Sequence, residues 1–307
     1  MGTVTRERGR AMATVELIVL GLLFGALAAL AVHRSLATRP VPGVVSEHAI
    51  REVVYRHPRV QRFFASRFDP AGATVVALST AGVLFVIGAT IIGVLAAMAR
   101  SSTGLAQVDP RIARWAATHV GASSVSFLRT VTQFGGAVVI VPLAAVVAVL
   151  EAVRAKSRSV LLFMLLVVGG QFLVANSIKF VVDRARPALH PLTGFSGRSF
   201  PSGHATAAAA TFAAFAFLLG RRRSTMTRSL LTGSAVAIAV IIAGTRVLLG
   251  VHWFSDVVAG LLLGWAWFAV CCFAFGGRLL RFGLPVVQAE AAAQVVEVAA
   301  SAASPGP

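Results

Sequence analysis

Charge is what this sequence has least of: only 13% of its 307 residues are Asp, Glu, Lys or Arg, about half of what a soluble domain of this length carries. Acid is scarcer still, with 11 Asp and Glu against 28 Lys and Arg and a formal net charge of +17. A chain this poor in charge and 57% hydrophobic falls outside the ordinary soluble and disordered classes, so an integral membrane protein is expected. Cysteine is nearly absent. Cys271 and Cys272 are adjacent in an apolar run, where neighbours on a helix point in different directions, so no mutual disulfide is expected. No metal-ligand spacing surrounds them, and they give no information on redox compartment. A strongly basic balance suggests nucleic acid as a partner in other chains. Here the arginines fall in short loops between apolar runs, where they act as topology signals and anion-binding groups, and nucleic acid is not expected.

The apolar material is organised in runs. The first covers about 13–32, interrupted by Glu16, and follows a basic start with Arg6, Arg8 and Arg10. It is long for a signal peptide and reads as a spanning helix or signal anchor. Residues 33–72 are polar, with seven arginines and Pro40, Pro42, Pro58 and Pro70, and Arg51 to Arg67 has the pattern of a basic surface helix. Six further runs follow at about 73–98, 134–152, 159–178, 205–220, 229–249 and 256–275. Most approach the roughly 20 residues that a spanning helix needs. In a bilayer such segments satisfy their backbone only as helices, and no barrel pattern is present. The segment 99–133 is too polar to span, and its Ile112, Trp115, Ala116 and His119 suit one face of a short interfacial helix. Gly169-Gly170, Ala207–Ala210, Gly260 and Gly264 suit close helix contact. Residues after 276 start basic and turn Ala/Val/Glu-rich, which reads as a flexible tail.

Loop arginines set the orientation. The links holding Arg154, Lys156 and Arg158, and Arg221, Arg222, Arg223 and Arg228, are short enough for the positive-inside rule. With both inside, 179–204 and 246–256 lie outside. The same order puts residues 1–12 outside, against their own arginines.

Three polar islands interrupt the apolar background, and hydrocarbon excludes such groups unless they have a task. Lys179 and Arg186-Pro187 close one run. If the helix continues, the two cations share a face, with Pro187 as the stop, and they pair a compact charge with a planar fork suited to phosphate. Taken alone they also fit two snorkelling residues. Pro201-Ser202-Gly203-His204 opens the next run, and a helix start with free N–H groups is an anion site as well as an ordinary cap. Arg246, His252 and Asp256 form the third island. The i, i+4 spacing lets the carboxylate hold one imidazole nitrogen, though a loop histidine beside a helix-start carboxylate looks the same. The acids near the islands are Asp183, with no assigned role, and Asp256. Two carboxylates are too few for a two-metal clamp.

Together, Lys179-x6-Arg186-Pro187, Pro201-Ser202-Gly203-His204 and Thr245-Arg246-x5-His252-x3-Asp256 resemble the three-part signature of the type 2 phosphatidic acid phosphatase (PAP2) superfamily, whose core is shared with vanadium haloperoxidases. Thr245 departs from the usual serine but keeps the hydroxyl. The resemblance covers roughly 73–275. It implies an all-α polytopic membrane helix bundle: a six-helix phosphatase core at 73–275, one extra N-terminal transmembrane helix and basic linker at 1–72, and the tail at 276–307. It implies a metal-independent membrane lipid phosphatase without a cofactor, acting on a polyprenyl diphosphate, a phosphatidate or a similar lipid phosphate through a phosphohistidine. In that reading His252 is the nucleophile, Asp256 orients it and His204 is the proton donor. Lys179, Arg186, Ser202, Gly203 and Arg246 hold the phosphate, and the catalytic face is extracytoplasmic in a multi-pass cell-membrane protein. Close alternatives are a lipid phosphotransferase, vanadate-dependent halide oxidation, and a non-catalytic lipid-binding or transport protein on the same scaffold. The retained histidines and cations weigh against the last.

Overall fold

A computed structural model of the chain describes residues 2–37, 70–189, 191–221 and 223–280. The expected surface helix at Arg51–Arg67, most of the basic linker and most of the tail lie outside these described residues. Among the described residues ten α-helices form: α1 (Gly2–Ala37), α2 (Pro70–Ser101), α3 (Asp109–His119), α4 (Ala122–Gln133), α5 (Ala137–Ala155), α6 (Ser159–Leu165), α7 (Gln171–Val182), α8 (Gly203–Gly220), α9 (Thr225–Leu248) and α10 (Phe254–Leu280). A π-turn at Leu166–Gly170 joins α6 to α7 into one continuous segment. Among the described residues seven helices are long and apolar enough to cross a membrane, matching the seven runs in the sequence. The protein is an all-α, multi-span membrane bundle. Its outward faces are apolar, as at Val86, Phe172 and Leu173, which are 63%, 58% and 68% exposed and suit contact with lipid chains.

The bundle is built around α8, whose alanine-rich sequence leaves it buried on almost all sides. Without a hydrophobic drive between helices in lipid, close approach of small residues provides the packing. Gly260 and Gly264 of α10 supply it. A Cβ added at Gly260 would lie 2.7 Å from the Ser202 carbonyl oxygen and 2.9 Å from Ala205 Cβ, and one at Gly264 would lie 2.7 Å from Ala209 Cβ. The helix α1 runs antiparallel to α9, with Leu17 against Gly244 and Gly25 against Gly233. Its N-terminal half therefore sits at the end of the bundle where α9 finishes, and Ala13 and Leu17 pack there with Ala116, Leu128 and Leu249.

The π-turn has a visible partner. Trp267 of α10 lies over Gly170 and donates its indole N–H to the Leu166 carbonyl at 3.0 Å. A carbonyl displaced from the regular helix ladder is thereby satisfied inside the bilayer, where water is absent.

Two expectations about local structure change. The polar segment 99–133 forms two helices, α3 and α4, rather than one. The indole of Trp115 stacks on the His119 ring at 4.9 Å, so these two residues share one face of α3. The helix carrying Lys179 does not continue to Arg186. It stops at Val182, because Asp183 takes the left-handed conformation (φ 47°), which Asp tolerates better than most residues. Arg186 and Pro187 follow outside any helix, so the two cations meet through a change of direction and not along one helical face.

Candidate active site

Four helix ends converge at one end of the bundle. The end of α7 brings Lys179, the start of α8 brings Ser202, Gly203 and His204, the end of α9 brings Arg246, and the turn into α10 brings His252 and Asp256. A pocket of about 390 Å³ is lined by Lys179, Arg186, Gly203, His204, Arg246 and His252, with Gly194, Phe195 and Ser196 from the preceding loop. All three islands therefore meet in one cavity. Asp256 stands behind it, fully buried.

The turn between α9 and α10 sets the position of His252. Gly250 takes φ 69°, a conformation glycine adopts without strain. The chain then folds back so that the Val251 and His252 N–H groups both donate to the Arg246 carbonyl at 3.2 Å. The His252 side chain is buried at 3% exposure. Its Nδ1 faces Asp256 Oδ2 at 3.6 Å, long for a hydrogen bond, and the Ser199 hydroxyl at 3.5 Å. Its Nε2 faces the pocket and Arg186 Nη1 at 3.1 Å. Burial pushes the His252 imidazole down to about 4, the Arg186 charge adds to the effect, and the Asp256 carboxylate opposes it. The ring is thus held neutral, with its free nitrogen toward the cavity.

Arg186 is more committed than its sequence suggested. Its Nε donates to the Gly197 carbonyl at 2.9 Å, Nη1 to the Val251 carbonyl at 2.7 Å, and Nη2 to the Ser196 carbonyl at 2.9 Å. The guanidinium lies 5.1 Å from the Phe195 ring centroid. Burial lowers its pKa from the ordinary value, though an arginine remains protonated throughout the useful range. Arg246 is different. It is 5% exposed, donates one Nη1 bond to Thr132 of α4 at 3.1 Å, and leaves its buried Nε without a partner. The buried Ser202 hydroxyl is also unpartnered, while its backbone N–H is tied to the Asp256 carbonyl at 3.0 Å. Unpaired donors in a buried site are costly, and two of them stand at the start of α8 and the end of α9.

A second set of residues supports this layer, and the sequence did not point to it. Arg184 Nη1 donates to Asp256 Oδ1 and its Nη2 to Asp109 Oδ2, both at 2.7 Å. Asp109, 2% exposed at the start of α3, accepts the Ser255 N–H at 2.8 Å. The Ser199 hydroxyl donates to Asp256 Oδ2, and the Trp253 N–H reaches the same oxygen at 3.0 Å. The count of two nearby acids is therefore corrected to three. Asp109 lies 70 residues before the first island, and only the packing of α3 brings it in. Its signal was present as one of very few acids in an apolar chain. Asp183 pairs with Arg198 at the surface.

Beside the polar pocket runs an apolar groove of about 710 Å³ between α5, the α6–α7 segment and α8. Lys179, Gly203 and His204 line both cavities. The groove follows α5 from Ala137 to Val149, about 18 Å at the usual helical rise.

With this geometry established, the sequence relationships become interpretable. Residues 160–278 match the profile of the PAP2 superfamily. That stretch is the part of the chain that resembles the superfamily. It holds Lys179, Arg186, His204, Arg246, His252 and Asp256. The lipid A 1-phosphatase of Rhizobium johnstonii is 41% identical over 108 residues, 32% of this chain and 40% of that protein. Phosphatidylglycerophosphatase B of Bacillus subtilis is 37% identical over 105 residues, 34% of this chain and 52% of that protein. These matches thus span only about half of the curated relatives' own length. The crystal structure of a transmembrane PAP2 type phosphatidylglycerolphosphate phosphatase from Bacillus subtilis is similar over 64% of this chain and 98% of its own, with TM-score 0.58 and 28% identity. The PAP2 likeness therefore extends from the short motifs to the arrangement of the bundle.

Proposed function

We propose that this protein is a membrane lipid phosphatase that cleaves a phosphomonoester or diphosphate by way of a phosphohistidine on His252. One observation carries the reading: a cation-lined pocket containing two imidazoles and the unpaired Arg246 Nε adjoins an apolar groove through shared walls at Lys179, Gly203 and His204. A headgroup phosphate fits the first cavity and an attached chain fits the second. The names of the relatives, all phosphatases, support the same class.

In the proposed reaction, Lys179, Arg246, the Ser202 hydroxyl and the Gly203 N–H hold the phosphoryl oxygens. Arg186 shifts its Nη1 bond from His252 Nε2 to one of them. The freed Nε2 lone pair attacks phosphorus, the bond from phosphorus to the leaving oxygen (the lipid's own in a monoester, the bridging one in a diphosphate) breaks, and His204 gives that oxygen its proton. Water then attacks the phosphohistidine and loses a proton to His204, the P–N bond breaks, and orthophosphate leaves. Fixed donors aimed at the transferring group supply most of the rate enhancement in such chemistry. The three cations at the pocket oppose a divalent metal, and the reaction proceeds without one. The reaction needs the two histidines in opposite protonation states, His252 neutral and His204 charged, and that need predicts a bell-shaped rate profile.

We further place the catalytic unit at 73–275 in the cell membrane. Its active face is extracytoplasmic, since the arginine-bearing links α5–α6 and α8–α9 sit at the other end of the bundle. The test is orthophosphate release by the purified full chain from a panel of lipid phosphates and diphosphates. His252→Ala is expected to abolish release with the helix content intact. Substantial activity in that variant would remove His252 as nucleophile, and activity lost to a chelator and restored by magnesium would overturn the metal-free reaction.

A further inference from the structure

The apolar groove holds an amide whose position the phosphate chemistry does not use. Asn176 lines the groove wall one turn inward of Lys179 on α7, about 4.5 Å along the axis. Its Nδ2 donates once, to the Phe172 carbonyl at 2.7 Å. An amide nitrogen carries two N–H groups, so a second remains for the groove. Gln171 also lines it, but sits deeper, is 4% exposed, and donates to the Val168 carbonyl within the π-turn at 3.2 Å. Ser177 faces a different cleft, between α7 and α2. Among the groove residues, Asn176 is thus the polar one placed just below the cationic layer. A polar group facing hydrocarbon is costly unless paired, and the cost is relieved when a ligand brings an acceptor to that depth.

We propose that Asn176 is a specificity-determining residue that donates to a carbonyl of the substrate a few bonds from its phosphate. The favoured substrates are then acylated lipid phosphates, whose ester or amide linkage brings that carbonyl, rather than polyprenyl phosphates, whose chains hold no acceptor there. This rests on the lipid phosphatase reading and deepens it. The groove is continuous with the pocket through Lys179 and His204, so one molecule spans both, and the occupant is the acyl-bearing part of the substrate. A neutral hydrogen bond contributes roughly threefold to tenfold in selectivity.

The test compares kcat/KM of the full chain in one detergent for three substrates: a diacyl phosphatidate, the matching dialkyl ether and farnesyl phosphate. The native protein is expected to favour the diacyl substrate over the dialkyl by roughly threefold to tenfold, and Asn176→Leu to bring that ratio close to one. Asn176→Ala gives the same ratio without the bulk, should the leucine disturb α7. An equal rate on diacyl and dialkyl substrates in the native protein overturns the inference and leaves the phosphatase reading standing. So does a loss in the variants that is the same for all three substrates. Absence of release from every substrate removes both.

Discussion

Arg184 holds two buried carboxylates at once, and its removal is the sharpest perturbation the structure offers. Its side chain is 11% exposed, against 2% for Asp109 and 0% for Asp256. In Arg184→Met the apolar stem is kept while both 2.7 Å contacts vanish. Breaking one buried pair by deleting a partner costs about 3–5 kcal/mol, because the remaining charge is left without compensation. Asp256 keeps the Ser199 hydroxyl and the Trp253 N–H. Asp109 keeps the Ser255 N–H and hydroxyl. These surviving bonds place the expected loss near the lower end, about 3 kcal/mol. Arg184→Lys provides a point charge that meets one carboxylate and not both, and should fall between. The double variant Arg184→Met/Asp109→Asn removes one stranded charge, so its loss should be smaller than that of the two single changes added together. Unfolding in a fixed detergent, followed by tryptophan fluorescence, reads the stability, and phosphate release reads the consequence for His252. A displacement of about 1 Å at the reacting ring costs on the order of a hundredfold in rate. If Arg184→Met is within about 0.5 kcal/mol of the native protein and retains full activity, the buried network does not support the site.

Three further outcomes are expected. Burial holds the His252 pKa at about 4 instead of 6.5, so the acidic limb of kcat/KM should fall through about pH 4. Since Asp256 raises that pKa, the residual activity of Asp256→Asn should lose its limb at still lower pH, and a limb at 6.5 would refute the burial argument. By linkage, the contribution of neutral His252 to stability is full above 6.5 and declines as the pH falls toward 4. Gly260→Val should separate α8 from α10, since even its Cβ would fall 2.7 Å from the Ser202 carbonyl oxygen. Overpacking of this kind costs about 1–3 kcal/mol, and an unchanged unfolding midpoint would count against tight α8–α10 packing. Trp267→Phe strands the Leu166 carbonyl and should cost about 1–3 kcal/mol in the same unfolding assay. Equal stability would mean that the π-turn satisfies its own carbonyl.

The spans and the pocket-lining residues were legible because each follows from a local pattern. A run of about 20 apolar residues has one solution in lipid, and Lys179, His204, Arg246 and His252 stand out against it as charged or titratable groups at run ends. What stayed hidden depends on packing between distant segments. Asp109 is brought to Ser255 and Arg184 by a short helix that lies across the bundle end. Thr132 reaches Arg246 from the next one. The helical pattern at Ile112–His119 was visible, but nothing local marks Asp109 or Thr132 as partners of those residues. For the same reason the sequence left open whether one helix joins Lys179 to Arg186: the left-handed turn at Asp183 that ends it is a choice of one residue's backbone. Gly260 and Gly264 read only as a weak contact motif until Ala205 and Ala209 were found opposite them.

The division of labour among the cations follows from how many of their donors are already used. Arg186 gives bonds to the carbonyls of Ser196, Gly197, Arg198 and Val251 and one N–H toward His252. Those bonds tie the loop carrying Gly194–Ser196 to the turn that carries His252. Removing its charge therefore removes the pocket wall as well as the proposed phosphate contact. Arg246 holds its guanidinium by a single bond to Thr132 and keeps a buried N–H open, so its charge is available to the ligand at little reorganisation. In the proposed reaction the fixed cation shapes the cavity and the open one binds the phosphate. A phosphate oxygen would therefore meet Arg246 first, and Arg186 would join only by giving up its hold on His252 Nε2, the step that would free the proposed nucleophile.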